Sequence, residues 1–203
     1  MPSTDLKSNP LLTKMSERDA NVNLPNLLTV SRILLIPVFV LLFSSPTPSR
    51  SIAAALVFVI AAVTDLLDGY LARRRSQVTQ IGRLLDPIAD KLLVLSGLIL
   101  LVQLHRVGAI VAILIVAREV AVTGIRGIAA SEGIVLSAET TGKYKMTAQV
   151  IAIVFLILED SLGLPFNVHL IGATLLYAAL VLGLISGVGY LLQFSKQVVA
   201  KRL

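Results

Sequence analysis

The chain has 203 residues, is 56% hydrophobic and has a mean hydropathy of +0.87, well above the roughly 45–50% apolar usage of soluble domains. Its formal net charge is +6 and it contains no cysteine, which excludes disulfides and thiolate metal sites and leaves oxygen donors or the two histidines for any metal. The size is that of one domain and the composition is that of an integral membrane protein.

Residues 1–23 form a polar tail rich in Ser, Asn and Lys, with Pro2 and Pro10. It is expected to be disordered or to lie on the membrane surface, and its mixed charge does not fit a cleaved signal peptide. The membrane domain is expected over residues 24–195, and residues 196–203 form a basic C-terminal tail. A hydrocarbon core about 30 Å thick requires roughly 20 apolar residues per helical span. Six such runs occur, at residues 24–43, 52–71, 85–103, 108–130, 144–158 and 169–194. Continuous apolar runs without period-two alternation exclude a barrel. The predicted fold is therefore all-α, a polytopic membrane protein with six transmembrane helices.

Charges in the short loops orient such a bundle. Lys7, Lys14 and Arg18 precede the first span; Arg73, Arg74, Arg75 and Arg83 follow the second; Lys143 and Lys145 follow the fourth; Lys196, Lys201 and Arg202 follow the sixth. Against these twelve, the other side holds only Arg50 and Arg106. The split predicts a cell-membrane protein, multi-pass, with both termini cytoplasmic. The basic side also suits anionic membrane lipids, whereas nucleic-acid binding would need an exposed basic module that this chain lacks.

The second and third runs are joined by Asp65 to Lys91, DLLDGYLARRRSQVTQIGRLLDPIADK. Asp65 and Asp68 are spaced i,i+3 and Asp86 and Asp90 i,i+4, so each pair shares a helical face. Gly69 and Ala72 extend the first face with almost no side chain, leaving room for a bulky group near the backbone. Asp86 before Pro87 reads equally as a helix N-cap with proline at the first helical position. One charged side chain at mid-membrane costs at least about 2.5–3.5 kcal/mol on insertion scales, and four carboxylates together add repulsion. Two divalent cations would balance the charge, and carboxylate oxygens without nearby Cys or His favour Mg²⁺ or Mn²⁺. Salt bridges to Arg73, Arg74, Arg75, Arg83 and Lys91 are the alternative.

The spacing D-x-x-D-G-x-x-A-R-x8-G-x-x-x-D-x-x-x-D is met without a gap by Asp65, Asp68, Gly69, Ala72, Arg73, Gly82, Asp86 and Asp90. It resembles the signature of the CDP-alcohol phosphatidyltransferases. The resemblance implies six transmembrane helices, a dinuclear metal site on the cytoplasmic side, a homodimer, and transfer of a phosphatidyl group from a CDP-linked lipid to an alcohol with CMP leaving. Carried over by position, Asp65, Asp68 and Asp86 would be metal ligands, and Asp90 a further ligand and the general base. Gly69 and Arg73 would hold the nucleotide, the arginine by pairing with its phosphates. Thr79 matches a nucleotide-contacting position more weakly, and Gly82 would let the second and third helices approach.

Outside the signature, Asn26 and Thr29 of NLPNLLTVSRILLIPVF share a face and either turn to the nucleotide or cap the helix beside a snorkelling Arg32. The fourth run holds AREVAVTGIRGIAASEG, with Arg118, Glu119, Thr123 and Arg126 in an apolar setting. Arg118 and Arg126 are eight residues apart, about 80° around a helix, and can point into one cavity. With Lys143 and Lys145 of TTGKYKMTAQ they make a basic group suited to an acceptor carrying its own phosphate. An ion pair of Arg118 with Glu119 or with a metal-site aspartate, beside ordinary topology lysines, is the other reading.

The REVAVTGIR, GKYK and NLPNLLT segments are similar to the bacterial phosphatidylglycerophosphate synthase branch of the family. That resemblance implies CDP-diacylglycerol as donor and sn-glycerol 3-phosphate as acceptor, with Arg118, Arg126, Lys143 and Lys145 binding the acceptor phosphate. Inositol phosphate, inositol and serine are rival acceptors. Two other classes compete with an enzyme. A divalent-cation transporter would need polar residues continuing through the far halves of the spans, which are aliphatic. An assembly protein would use Gly183 and Gly187, a G-x-x-x-G spacing that serves packing within one chain equally well.

Overall fold

The computed structural model describes the backbone of residues 24–75, 80–132, 140–161, 163, 165 and 167–202, and the side chains of residues 30–64, 91–132, 145–161, 163, 165 and 167–198. Among them are six helices and no strand: α1 (Leu24–Phe43), α2 (Pro48–Arg75), α3 (Gln80–Gln103), α4 (Ala109–Ser131), α5 (Thr140–Leu158) and α6 (Val168–Arg202). The all-α expectation holds, one helix for each apolar run.

The helices outrun the apolar runs at their polar ends. α2 continues to Arg75, α3 starts at Gln80 instead of residue 85, and α6 runs on to Arg202. Arg, Lys, Gln and Ser are compatible with helix, so hydropathy marks where lipid contact stops and not where the helix stops. Two capping readings change accordingly. Asp86 and Pro87 lie inside α3, and Asn26 and Thr29 lie inside α1, so none of them holds an N-cap position.

The actual caps are local. Thr47 precedes Pro48 at the first position of α2, and its Oγ1 accepts from the Arg50 N–H at 3.3 Å, which satisfies a backbone donor the helix cannot. Asn167 does the same for α6, accepting from the Leu170 N–H at 2.9 Å. α3 ends with His105 at φ 59°. The His105 N–H donates to Val102 O at 3.0 Å and the Arg106 N–H to Leu101 O at 2.9 Å, the paired 5→2 and 6→1 bonds of a Schellman stop, with histidine in the left-handed position it tolerates better than most residues.

That stop aims Arg106 inward. Its Nη1 donates to Leu156 O at 2.8 Å and Ile157 O at 3.0 Å, Nη2 meets Asp160 at 2.7 Å and Nε meets Glu159 at 2.9 Å. The guanidinium also lies 5.5 Å from the Phe43 ring centroid. His169 donates to Glu159 from Nδ1. One arginine in the α3–α4 turn therefore ties together the C-terminus of α5 and the start of α6.

α1 packs on α2 and α3; α5 packs on α6 and α2; α4 rests mainly on α6. The shared interior is apolar, centred on Phe39, Phe43, Phe58, Leu98, Leu101, Ile153 and Leu156. Phe39 sits 5.8 Å from Phe43 and 5.3 Å from Phe58, ring to ring, contacts worth about 0.5–1.5 kcal/mol beyond area burial. At Gly97 an added Cβ would stand 3.2 Å from Phe58 and 3.3 Å from Ile153, so this glycine sets how closely α3 approaches α2 and α5.

The exterior is aliphatic too. Leu34 is 65% exposed, Leu41 69% and Ile110 75%, with Leu56, Ile60, Ile113, Val120, Leu170, Ile185 and Leu192 also on the surface. Water-soluble monomers seldom present so continuous an apolar exterior. α6 contains, over Val168–Val198, a stretch long and apolar enough to cross a membrane; the described apolar segments of α1, α2, α3 and α5 are 10–17 residues long.

Candidate functional site

The signature falls on two helices in contact with one another. Asp65, Asp68, Gly69, Ala72 and Arg73 are on the C-terminal part of α2, and Gly82, Asp86 and Asp90 on the N-terminal part of α3. α2 and α3 are in contact and are separated in sequence only by residues 76–79. The side chains of these residues, and Thr79 altogether, lie outside the described residues, as do the side chains of Asn26, Thr29 and Lys143.

Arg32 approaches this region from α1. It is fully buried, and its Nε donates to Ala61 O at 3.3 Å. Thr64 Oγ1 donates to the same carbonyl at 2.8 Å. Ala61 precedes Asp65 by one helical turn. Arg32 thus does not snorkel; it brings a cation into the bundle beside the polar segment of α2.

A basic cluster stands where α4, α5 and α6 meet. Glu119 on α4 contacts Arg118 Nη1 at 3.2 Å and is also bonded to Lys145 Nζ from α5. Lys145 is only 5% exposed. Arg118 is held from α6 as well, Nε donating to Gly183 O at 2.8 Å and Nη2 to Ser186 Oγ at 3.1 Å. A small cavity beside the cluster is lined by Ile115, Arg118, Lys145, Gln149, Ala179, Leu180 and Gly183. Charges this deep survive because each is matched: an unpaired ion here would cost several kcal/mol, and one carboxylate shared by two cations leaves a net charge of +1.

Of the four basic residues expected to gather, the structure therefore brings Arg118 and Lys145 together through a shared carboxylate. Arg126, two turns further along α4, lies 5.8 Å from the Tyr190 ring centroid on α6, a separate seat. The ion pair of Arg118 with Glu119, one of the two sequence readings, is present, and Lys145 joins it. Gln149 and Ser186 went unnoticed in the sequence because each looks ordinary until a partner helix is set against it, while the sequence reads Arg32 as snorkelling and Gly183 only as half of a G-x-x-x-G pair. Arg32 carried a signal, an arginine inside an apolar run.

A model described as CDP-alcohol phosphatidyltransferase matches residues 22–185. The chain belongs to that family. Among its relatives, a Bacillus subtilis (strain 168) protein named CDP-diacylglycerol–glycerol-3-phosphate 3-phosphatidyltransferase is 43% identical over 157 residues, covering 71% of this chain and 80% of the relative. Proteins of the same name from Rickettsia bellii (strain RML369-C) and Shigella flexneri are 40% identical over 168 residues and 39% identical over 173 residues, each covering 83% of this chain and 93% of the relative. The residues matched by the family model include the signature on α2 and α3 and Arg118, Glu119 and Lys145.

Proposed function

We propose that this family member transfers the phosphatidyl group of CDP-diacylglycerol to sn-glycerol 3-phosphate, yielding phosphatidylglycerol phosphate and CMP. The observation that carries the choice of acceptor is the joining of buried Lys145 to Arg118 through Glu119, in a chain whose signature aspartates lie on the touching helices α2 and α3. An acceptor bearing a phosphate monoester matches such a pair of cations; serine and free inositol do not. The names of the relatives agree with that choice.

The donor set on α2 and α3 fits divalent metals. Four carboxylates supply hard oxygen ligands and no thiol competes in the chain, which suits two Mg²⁺ or Mn²⁺ ions held by Asp65, Asp68, Asp86 and Asp90. Bound there, the ions would supply Lewis-acid polarisation of the diphosphate and charge stabilisation for departing CMP. Arg73 pairs with the nucleotide phosphates, Gly69 and Ala72 leave room for it against α2, and Asn26, Thr29 and Thr79 flank it. The carboxylate of Asp90 takes the proton from the primary hydroxyl of the acceptor. As that proton leaves, the hydroxyl oxygen forms a bond to the lipid-linked phosphorus and the diphosphate bond breaks. Arg118 and Lys145, with Arg126 and Lys143 nearer the cytoplasmic ends of their helices, hold the acceptor phosphate so that the hydroxyl meets the donor in line.

The same reading makes the protein a multi-pass, homodimeric cell-membrane enzyme with six spans and cytoplasmic termini. Support comes from the aliphatic exterior, from the apolar stretch in α6 and from the loop charges. The deciding experiment supplies purified protein with CDP-diacylglycerol and Mg²⁺ or Mn²⁺, then separately glycerol 3-phosphate, inositol phosphate, inositol or serine, and measures CMP release. Glycerol 3-phosphate alone should support turnover, chelation should stop it, and Asp90→Asn should abolish it while nucleotide binding persists. Preference for another alcohol would overturn the acceptor, and undiminished turnover by Asp90→Asn would overturn the base.

A further inference from the structure

Both arginines of α4 rest on one stripe of α6. Gly183, Ser186, Gly187 and Tyr190 recur at i, i+3, i+4 and i+7, hence on a single face. Arg118 lies across the first three and Arg126 against the fourth. The contact is close because two of the four residues have no side chain. A Cβ at Gly187 would stand 3.4 Å from Arg118 Cγ, and one at Gly183 would stand 3.3 Å from Lys145 Cδ and 3.6 Å from Arg118 Nε. The G-x-x-x-G pair is therefore filled from within the chain, by an arginine and not by another helix backbone.

We propose that Gly183, Ser186 and Gly187 are positioning residues for the transfer reaction: they seat Arg118, and through it Lys145, where the acceptor phosphate is bound. The proposal rests on the acceptor-phosphate reading above and adds to it the residues that fix the geometry. A free arginine side chain loses rotamer entropy when a ligand fixes it, a cost that ligand binding would otherwise have to overcome. Here Gly183 O and Ser186 Oγ fix two of its three nitrogens before any ligand arrives, and the bare glycine faces let the stem lie flat. The third nitrogen, Nη1, is turned to the Glu119–Lys145 side, so the α6 stripe determines which edge of the guanidinium faces the site.

The test is a comparison of steady-state constants for the full-length enzyme in detergent or bilayers. Ser186→Ala removes one charge-assisted hydrogen bond and Gly183→Ala crowds Lys145 and Arg118. Each should raise KM for glycerol 3-phosphate by about three- to tenfold, with kcat and the KM for CDP-diacylglycerol changing by less than about twofold. Ser186→Thr, which keeps a hydroxyl, should recover most of the loss, and Ser186→Ala added to Arg118→Ala should raise KM no further. Two substitutions serve as controls, one for structural change and one neutral. Gly172→Ala, whose Cβ would come within 2.8 Å of Leu156, should lower the yield of folded protein without moving the acceptor KM. Gly124→Ala, which meets nothing within 4 Å among the described residues, should change neither. If Arg118→Ala raises the acceptor KM but Ser186→Ala and Gly183→Ala do not, the seat is refuted and the phosphate pocket stands. If Arg118→Ala itself leaves that KM unchanged, the pocket reading fails and the seat falls with it. Should Gly183→Ala not fold, Ser186→Ala, Ser186→Thr and the double substitution decide alone.

Discussion

Arg32 and Ala61 are joined across the α1–α2 interface, the arginine Nε donating to the alanine carbonyl at 3.3 Å with no part of the side chain open to solvent. A buried guanidinium fills space as well as carrying charge. Arg32→Ala leaves a cavity and removes one of the two side-chain donors to the Ala61 carbonyl, the Thr64 hydroxyl being the other, at an expected cost of about 2–4 kcal/mol. Arg32→Met keeps most of the volume and should cost less than half as much. Thermal unfolding of the purified protein checks this, because each kcal/mol should shift the midpoint by about 2–4 °C at this chain length. Equal shifts for the two variants would show that charge and not volume is what matters at this position.

Glu119 is the carboxylate shared by Arg118 and Lys145. Glu119→Gln strips the only carboxylate these two cations share among the described residues, and it should destabilise the fold by about 1–3 kcal/mol. Adding Lys145→Met removes one of the cations, so the double variant should be less destabilised than the sum of its parts. A double-mutant cycle on unfolding free energy measures the coupling, and strict additivity would mean that the contact contributes nothing to stability.

Arg106, buried, and Arg118, half-buried, are both arginines in ion pairs, yet they should behave differently. Arg106 binds two carbonyls at the C-terminal end of α5 and two carboxylates of the α5–α6 connection, at the opposite ends of the helices from the signature. Arg106→Ala should cost about 3–5 kcal/mol in stability, while the protein that does fold keeps its KM values for both substrates. A raised acceptor KM for Arg106→Ala would contradict a purely structural role.

The chain's lack of cysteine makes its topology directly measurable. A single cysteine introduced at Ser49, in the first turn of α2, should react with an impermeant maleimide added outside intact cells or spheroplasts. One introduced at Lys196, near the end of α6, should react only after permeabilisation. Labelling of both from one side would contradict the five spans, α2 to α6, that separate the two positions.

The number and order of helices could be read from hydropathy because lipid contact imposes long apolar runs. The helix ends could not, since Arg73 to Arg75 and Gln80 to Arg83 are polar yet helical. The signature was legible for a different reason: its residues stand at fixed helical spacings, so Asp65, Asp68, Asp86 and Asp90 leave a pattern independent of what surrounds them. The seat for Arg118 leaves none. A glycine, a serine, a glycine and a tyrosine at three- and four-residue steps are common in membrane helices, and their use is set by the residue that α4 places opposite. The same holds for Arg106, which in sequence is one more loop cation and in the fold is the tie between three connections.

Because Arg118 meets Gly183, Ser186 and Gly187 while Arg126 meets Tyr190, α4 and α6 run in the same direction with matched phase over two turns. Each residue added to or removed from a helix rotates everything beyond it by about 100°. An insertion or deletion between residues 183 and 190 would therefore turn either the tyrosine or the glycine–serine face away from its arginine, whatever residue was gained or lost. Beyond residue 195 a change in length would disturb neither. This segment of α6 should accordingly tolerate substitution at its outward aliphatic positions, such as Leu184, Ile185 and Val188, while tolerating no change in length.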